Sequence, residues 1–223
     1  MRKRTVYTED FGGHDYEIDF EPVSDVLKAR VGDKVVISYL AYDDSSRDID
    51  DLMGEGCGEL ISFHRDNQRN HGRGFRELEE NPDAVSLDCY SHSGEHWSLS
   101  GQGMQCQWDT ARGAGVFVPS EDMSEELAKL EPNERRHKAR EWAQSFLDTY
   151  NNIIGGQVFG CVTQVFDEDG DEADSDSCWG FIGSDYAEQA LKEEFFDPMC
   201  SSVAKKYEEE IRTQCDRQLE LEL

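Results

Sequence analysis

The segment Gln157–Phe181 restricts the fold more than any other part of the chain. QVFGCVTQVF, Gln157–Phe166, has the β-branched and aromatic content of a strand. DEDGDEADSDSCWGF follows, and seven of its first ten residues are acidic. Asp169-Gly170 inside it is a tight-turn pair, because glycine accepts the positive φ that such turns need. A strand, such a turn and a returning run that ends in SCWGF predict a β-hairpin whose turn and early second strand are anionic.

Strand patterns also fill the first half. YEIDFEPV alternates apolar and acidic positions, and Gly32-Asp33 turns into a run holding Val35, Val36, Ile37, Tyr39, Leu40 and Tyr42. DDSSRDIDDLMGEG reads as an acidic loop, and CGELISFHRD as a further strand. AVSLDCYSHSGEHWSLSG predicts strand, turn and strand, and a β run closes at Pro119. Helices follow. Ser120 or Ser124, each trailed by acidic residues, can cap one, and Pro132 suits a first turn. Ala139, Trp142, Ala143, Phe146, Leu147 and Tyr150 recur at steps of three and four, an apolar stripe that ends near Gly155-Gly156. A shorter stripe, Ala187, Ala190, Leu191 and Phe195, is expected to be interrupted at Pro198. Val203, Tyr207, Ile211, Cys215 and Leu219 come at steps of four, so that stripe drifts round its helix and can serve the body or a homodimer. The expectation is an α+β fold: a mostly antiparallel sheet from the N-terminal, central and 157–181 segments, packed against a long helix over 132–153 and the C-terminal helices. The expected organisation is a β-rich extension over 1–50, an α+β core domain over 51–197 and a helical tail over 198–223.

Charge limits the function. The 223 residues carry 49 acidic and 22 basic side chains, formally −27. Such a field repels nucleic acid and anionic membranes and attracts basic surfaces. Arg65, Arg69, Arg73 and Arg76 are the one basic cluster in the middle, expected to pair with Glu77, Glu79 and Glu80. No run of about 18 apolar residues exists, so no membrane span is expected. The start, MRKRTVYTEDFGG, lacks the apolar run of a secretory signal, and seven scattered cysteines read as reduced thiols in a cytoplasm. Salt adaptation in a halophilic host would also raise acidity, although seven cysteines and abundant aromatics do not favour it.

Candidate chemistry is sparse. Cys89, His92, His96 and Cys106 have zinc-compatible donor types in a non-standard spacing, and a zinc-dependent protein built on them is one alternative. His64 and His71 near Cys57 are a weaker group. The acidic turn does not fit an EF-hand: with Gly170 at the sixth position, the first is Val165, which has no side-chain oxygen. SHSG lacks the strand-turn-helix setting of a hydrolase nucleophile, and no phosphate-binding glycine loop is present. No catalytic residue and no cofactor are therefore expected.

SHSG at Ser91–Gly94, CQWDTARGAGVFVPSED at Cys106–Asp122 and DEDGDEADSDSCWGFIG at Asp167–Gly183 together resemble, in this order, an uncharacterised acidic protein family of bacteriophages and mobile elements. The likeness spans about residues 50–195, as an order of motifs. This chain departs from it by Ala173, Asp174 and Ser175 inserted in the acidic turn, and by Gln107 before Trp108. The resemblance implies a mobile-element accessory protein in a bacterial host cytoplasm.

Setting and charge combine into one expectation. A compact domain of this length is about 44 Å across. Duplex DNA carries roughly 26 charges over that distance, close to the chain's formal charge of −27. The chain is thus expected to inhibit a host nucleic-acid-processing defence complex, an anti-CRISPR or anti-restriction protein that occupies a basic channel by DNA mimicry. The expected partner-binding residues are Asp167, Glu168, Asp169, Asp171, Glu172, Asp174 and Asp176, with Asp43, Asp44, Asp48, Asp50 and Asp51. Trp179, Phe181 and Tyr186 are candidates for apolar anchoring, although Trp and Phe on a hairpin are more often core residues. A phage accessory or structural protein with a generic acidic surface is the alternative.

Overall fold

The structure is a computed structural model and describes residues 4–7, 15–45, 48–65, 68–69, 72–74 and 80–221. It is an α+β fold with antiparallel sheets. The chain divides into two compact units, residues 1–44 with 158–223, and residues 45–157. This differs from the expected extension, core and tail. Lys34–Tyr42 (β4) is apolar on both sides and takes an inner place in a sheet, where it pairs with Val158–Phe166 (β9). The 157–182 hairpin therefore belongs with the N-terminal strands, and the central strands form a sheet of their own.

In the first unit, Arg4–Tyr7 (β1) and Asp15–Ile18 (β2) form a two-stranded ribbon. Leu27–Val31 (β3), β4, β9 and Glu172–Ile182 (β10) form a sheet in the order β10-β9-β4-β3. Gly32, at φ +65°, makes the β3–β4 turn. One face packs Val35, Ile37, Tyr39, Val162 and Phe166 against Tyr16 and Ile18 of the ribbon. The other face packs Leu40, Phe159 and Cys161 against Ala187, Ala190 and Leu191, and Val36 and Val165 against Val203. Every residue of β9 is buried, as a strand covered on both faces requires. Its two polar members are matched: Thr163 hydrogen-bonds Ser38 at 2.7 Å, and Gln164 accepts from the Tyr39 hydroxyl at 2.9 Å.

In the second unit, Glu59–Ser62 (β5), Val85–Ser91 (β6), Glu95–Leu99 (β7) and Thr110–Val118 (β8) are ordered β5-β8-β6-β7. The expected acidic loop contains a short helix, Ile49–Met53 (α1). Ser120 caps Glu121–Leu127 (α2), its hydroxyl accepting from the Met123 N–H at 3.4 Å. Pro132–Ile154 (α3) carries the expected stripe, and Ala139, Ala143, Phe146, Leu147 and Tyr150 are buried against Leu87, Trp97 and Phe117.

Back in the first unit, Ser184–Ala190 (α4) continues through a π-helical turn, Leu191–Phe196, into Asp197–Leu221 (α5). Pro198 does not interrupt the helix. It sits in the first turn of α5, and the widened π turn before it accommodates the missing N–H and the ring. The drift of the α5 stripe is visible in burial: Val203 is 6 % exposed and Ile211 is 43 % exposed.

Candidate functional site

The β9–β10 hairpin holds the first acidic group. Gly170 has φ +86°, and Asp167 organises the turn: its Oδ1 accepts from the N–H groups of Asp169 and Asp171, both at 3.0 Å. Glu172 accepts from the buried Gln164 amide at 2.7 Å, and Asp174 faces Lys206 of α5 at 3.3 Å. Glu168, Asp169, Asp171 and Asp176 are exposed and have no ion pair among the described residues. β10 is an edge strand, exposed along Glu172–Cys178, so its outer backbone groups also face solvent. Two of the three proposed aromatic anchors are occupied in packing. A Cβ on Gly160 would lie 2.3 Å from the Trp179 ring, so that ring covers the glycine, and it also meets Phe20 edge-on at 4.9 Å. Phe181 packs on Phe195 at 5.9 Å. Tyr186 is 57 % exposed and remains accessible.

The second acidic group divides between the units. Asp43 and Asp44 follow β4 in the first, the Asp43 N–H bonding the Val158 carbonyl at 2.9 Å. Asp48 precedes α1, and Asp50 and Asp51 lie in its first turn, where the helix end favours negative charge. Asp48 and Asp50 line a cavity of about 420 Å³ with Cys57, Glu59, Arg69 and Tyr150. Of the arginine cluster, Arg73 pairs with Glu59. Arg76, Glu77 and Glu79 lie outside the described residues, as does His71.

The four proposed zinc ligands do not converge. The β6–β7 register sets Cys89 opposite Trp97 and Tyr90 opposite His96, so Cys89 and His96 point to opposite faces of the sheet. His92 is exposed in the turn, 3.5 Å from Asp109, and the Cys106 thiol bonds the same carboxylate at 3.4 Å. The structure instead gathers His64, Cys89 and Glu95, whose donor atoms all lie within 4.8 Å of one another. His64 follows β5 and lies edge-on to Trp97, and its Nδ1 is 3.4 Å from Glu95 Oε1. That nitrogen is buried and has no hydrogen-bond partner. The Trp97 indole donates to the other Glu95 oxygen at 3.4 Å, which orients the carboxylate. Burial, then the Glu95 charge, push the Cys89 thiol up to about 12. His64 was expected beside Cys57, and its partner in the structure is Glu95, for which no expectation stood. The signal was the β7 alternation: Glu95 shares a face with Trp97 and Leu99, an acid on the core side of a strand.

Loop residues beyond the acidic groups also stand out. Trp108 is 86 % and Met104 60 % exposed, unusual for side chains of this size. No helix among the described residues is long and apolar enough to cross a membrane. No protein-family model, curated protein or solved structure matches this chain.

Proposed function

We propose that the chain is a binding protein for a cationic macromolecular surface, and that the β9–β10 hairpin is its docking element. The observation that carries this reading is the placement of Glu168, Asp169, Asp171 and Asp176: exposed, without ion pairs among the described residues, on a turn organised by Asp167 and an edge strand paired with the buried β9. The backbone beneath them is fixed by the Asp167 turn and the pairing with β9, so only their short side chains need ordering on binding. The formal charge of −27 adds long-range steering toward a basic groove. Grooves of that kind belong to proteins that grip nucleic acid through phosphate contacts. The resemblance to acidic mobile-element proteins makes a host nucleic-acid-processing defence enzyme the partner class, inhibited by occupation of its channel.

The test is affinity capture from bacterial lysate, with wild type beside a variant carrying Glu168→Gln, Asp169→Asn, Asp171→Asn and Asp176→Asn. Asp167, Glu172 and Asp174 stay unchanged because they hold the turn, Gln164 and Lys206. Wild type retains nucleic-acid-processing proteins that raised salt releases, and the variant retains far less. Equal retention by both removes the hairpin from the interface.

A further inference from the structure

We infer that His64, Cys89 and Glu95 bind a divalent metal ion, with zinc the best match, through the His64 Nδ1, the Cys89 thiolate and a Glu95 carboxylate oxygen. This site is independent of the hairpin and involves none of its residues.

Geometry is the first argument. A histidine–carboxylate hydrogen bond closes to about 2.8 Å with the N–H aimed at the oxygen. Here the two atoms stand 3.4 Å apart, and Nδ1 has no hydrogen-bond partner. Zinc binds nitrogen and oxygen at about 2.0–2.1 Å, so a tetrahedral angle separates two such donors by about 3.3 Å. The separation is that of two ligands on one ion. A Zn–S bond of about 2.3 Å puts sulfur about 3.5 Å from the other donors, and Cys89 Sγ lies within 4.8 Å of a ring nitrogen of His64 and a carboxylate oxygen of Glu95.

Charge is the second argument. A thiolate and a carboxylate together neutralise a divalent ion, with His64 bound as neutral imidazole. Buried charge is tolerated when it is matched in this way. Without metal, the site leaves a buried ring nitrogen unsatisfied, which is unfavourable. Binding the ion converts the Cys89 thiol to a thiolate, and its proton passes to solvent.

The third argument is the supporting shell. Ligating carboxylates and histidines are usually oriented by further contacts. Trp97 donates to Glu95, and its own backbone is held by Asn151, which accepts from the Trp97 N–H at 2.9 Å and donates to its carbonyl at 2.8 Å. The Ser62 hydroxyl accepts from the His64 N–H at 3.2 Å. Three protein donors leave the fourth position of a tetrahedral ion to water or another ligand, the arrangement of open zinc sites.

The full chain, reduced and freed of metal with a chelator, is titrated with cobalt(II) and read by absorption. One equivalent is expected to give a thiolate-to-cobalt charge-transfer band and the visible bands of a tetrahedral ion, both abolished by zinc. Cys89→Ser abolishes the charge-transfer band. Glu95→Gln and His64→Gln weaken cobalt binding at least tenfold, and Cys57→Ser and Cys106→Ser leave it unchanged. Circular dichroism checks that each variant is folded. Should Cys89→Ser unfold, Glu95→Gln decides, since Glu95 is the least buried of the three. A folded chain that gives no thiolate band, or a band that persists in folded Cys89→Ser or at full affinity in folded Glu95→Gln, overturns the assignment.

Discussion

Single residues in this chain act mainly through the partners they hold. Asp88 is 1 % exposed on β6 and accepts from Ser100 Oγ, the Gly101 N–H and the Gly113 N–H, all at 2.8 Å, and from the Gln105 amide at 3.2 Å. The Gly113 bond satisfies a donor where the β6–β8 register shifts. Burial by itself would raise the Asp88 carboxyl, but these hydrogen bonds outweigh it and hold the group below its ordinary range. A carboxyl lowered on folding stabilises above its unfolded pKa of about 3.9, and that contribution is lost as pH falls through the lower folded value. Asp88→Asn is therefore expected to cost about 2–3 kcal/mol at neutral pH in urea unfolding, with the cost shrinking as the pH drops below about 4. Trp108→Ala, by contrast, removes an exposed ring and should shift stability by less than about 0.5 kcal/mol. At this scale the sequence was only partly legible. The acidic hairpin residues lie in the predicted turn and strand, because local turn chemistry decides them. His64 and Glu95 were not associated, because His64 lies beyond the end of β5 and Glu95 begins β7, and only the tertiary fold brings them together.

At the level of elements, two glycine–tryptophan pairs show how the strands are packed. Trp179 covers Gly160 in one unit, and in the other a Cβ on Gly115 would lie 2.6 Å from the Trp97 ring. Gly160→Ala must displace an aromatic ring that also packs on Phe20, and is expected to destabilise by about 1–3 kcal/mol, measured by chemical unfolding. The carboxylates of β10 have a second physical effect, since charge on an edge strand discourages pairing with another chain. The hairpin variant is thus expected to aggregate faster than wild type at equal concentration, read by light scattering. Most elements were legible: the 132–153 helix was found to within a residue because its stripe is long, and the hairpins because their turns carry Asp-Gly, Gly-Asp or Ser-Gly. Two were not. The short helix α1 is too brief to show periodicity, and Pro198 reads as a break because only the preceding π turn makes it tolerable.

For the whole molecule, charge is the governing property. Repulsion among 49 acidic side chains opposes the folded state, and salt screens it. Moving from low ionic strength to about 0.5 M is expected to raise Tm by several degrees, while the same change weakens a partner held by exposed carboxylates. Local patterns put all sheet-forming segments in one sheet, and the structure divides them among three. The apolar content of β4 on both faces fits its inner place, but pairing partners so distant in sequence are not written in local pattern. The measurement that bears most directly on the proposed function is competition. A nucleic-acid-binding protein captured by the chain is loaded with labelled duplex DNA, and wild type or the four-carboxylate hairpin variant is added as competitor. The account predicts that wild type displaces the DNA, while the variant needs at least about tenfold more protein for the same displacement. Equal displacement by both, or DNA that stays bound while the chain is also bound, would contradict it.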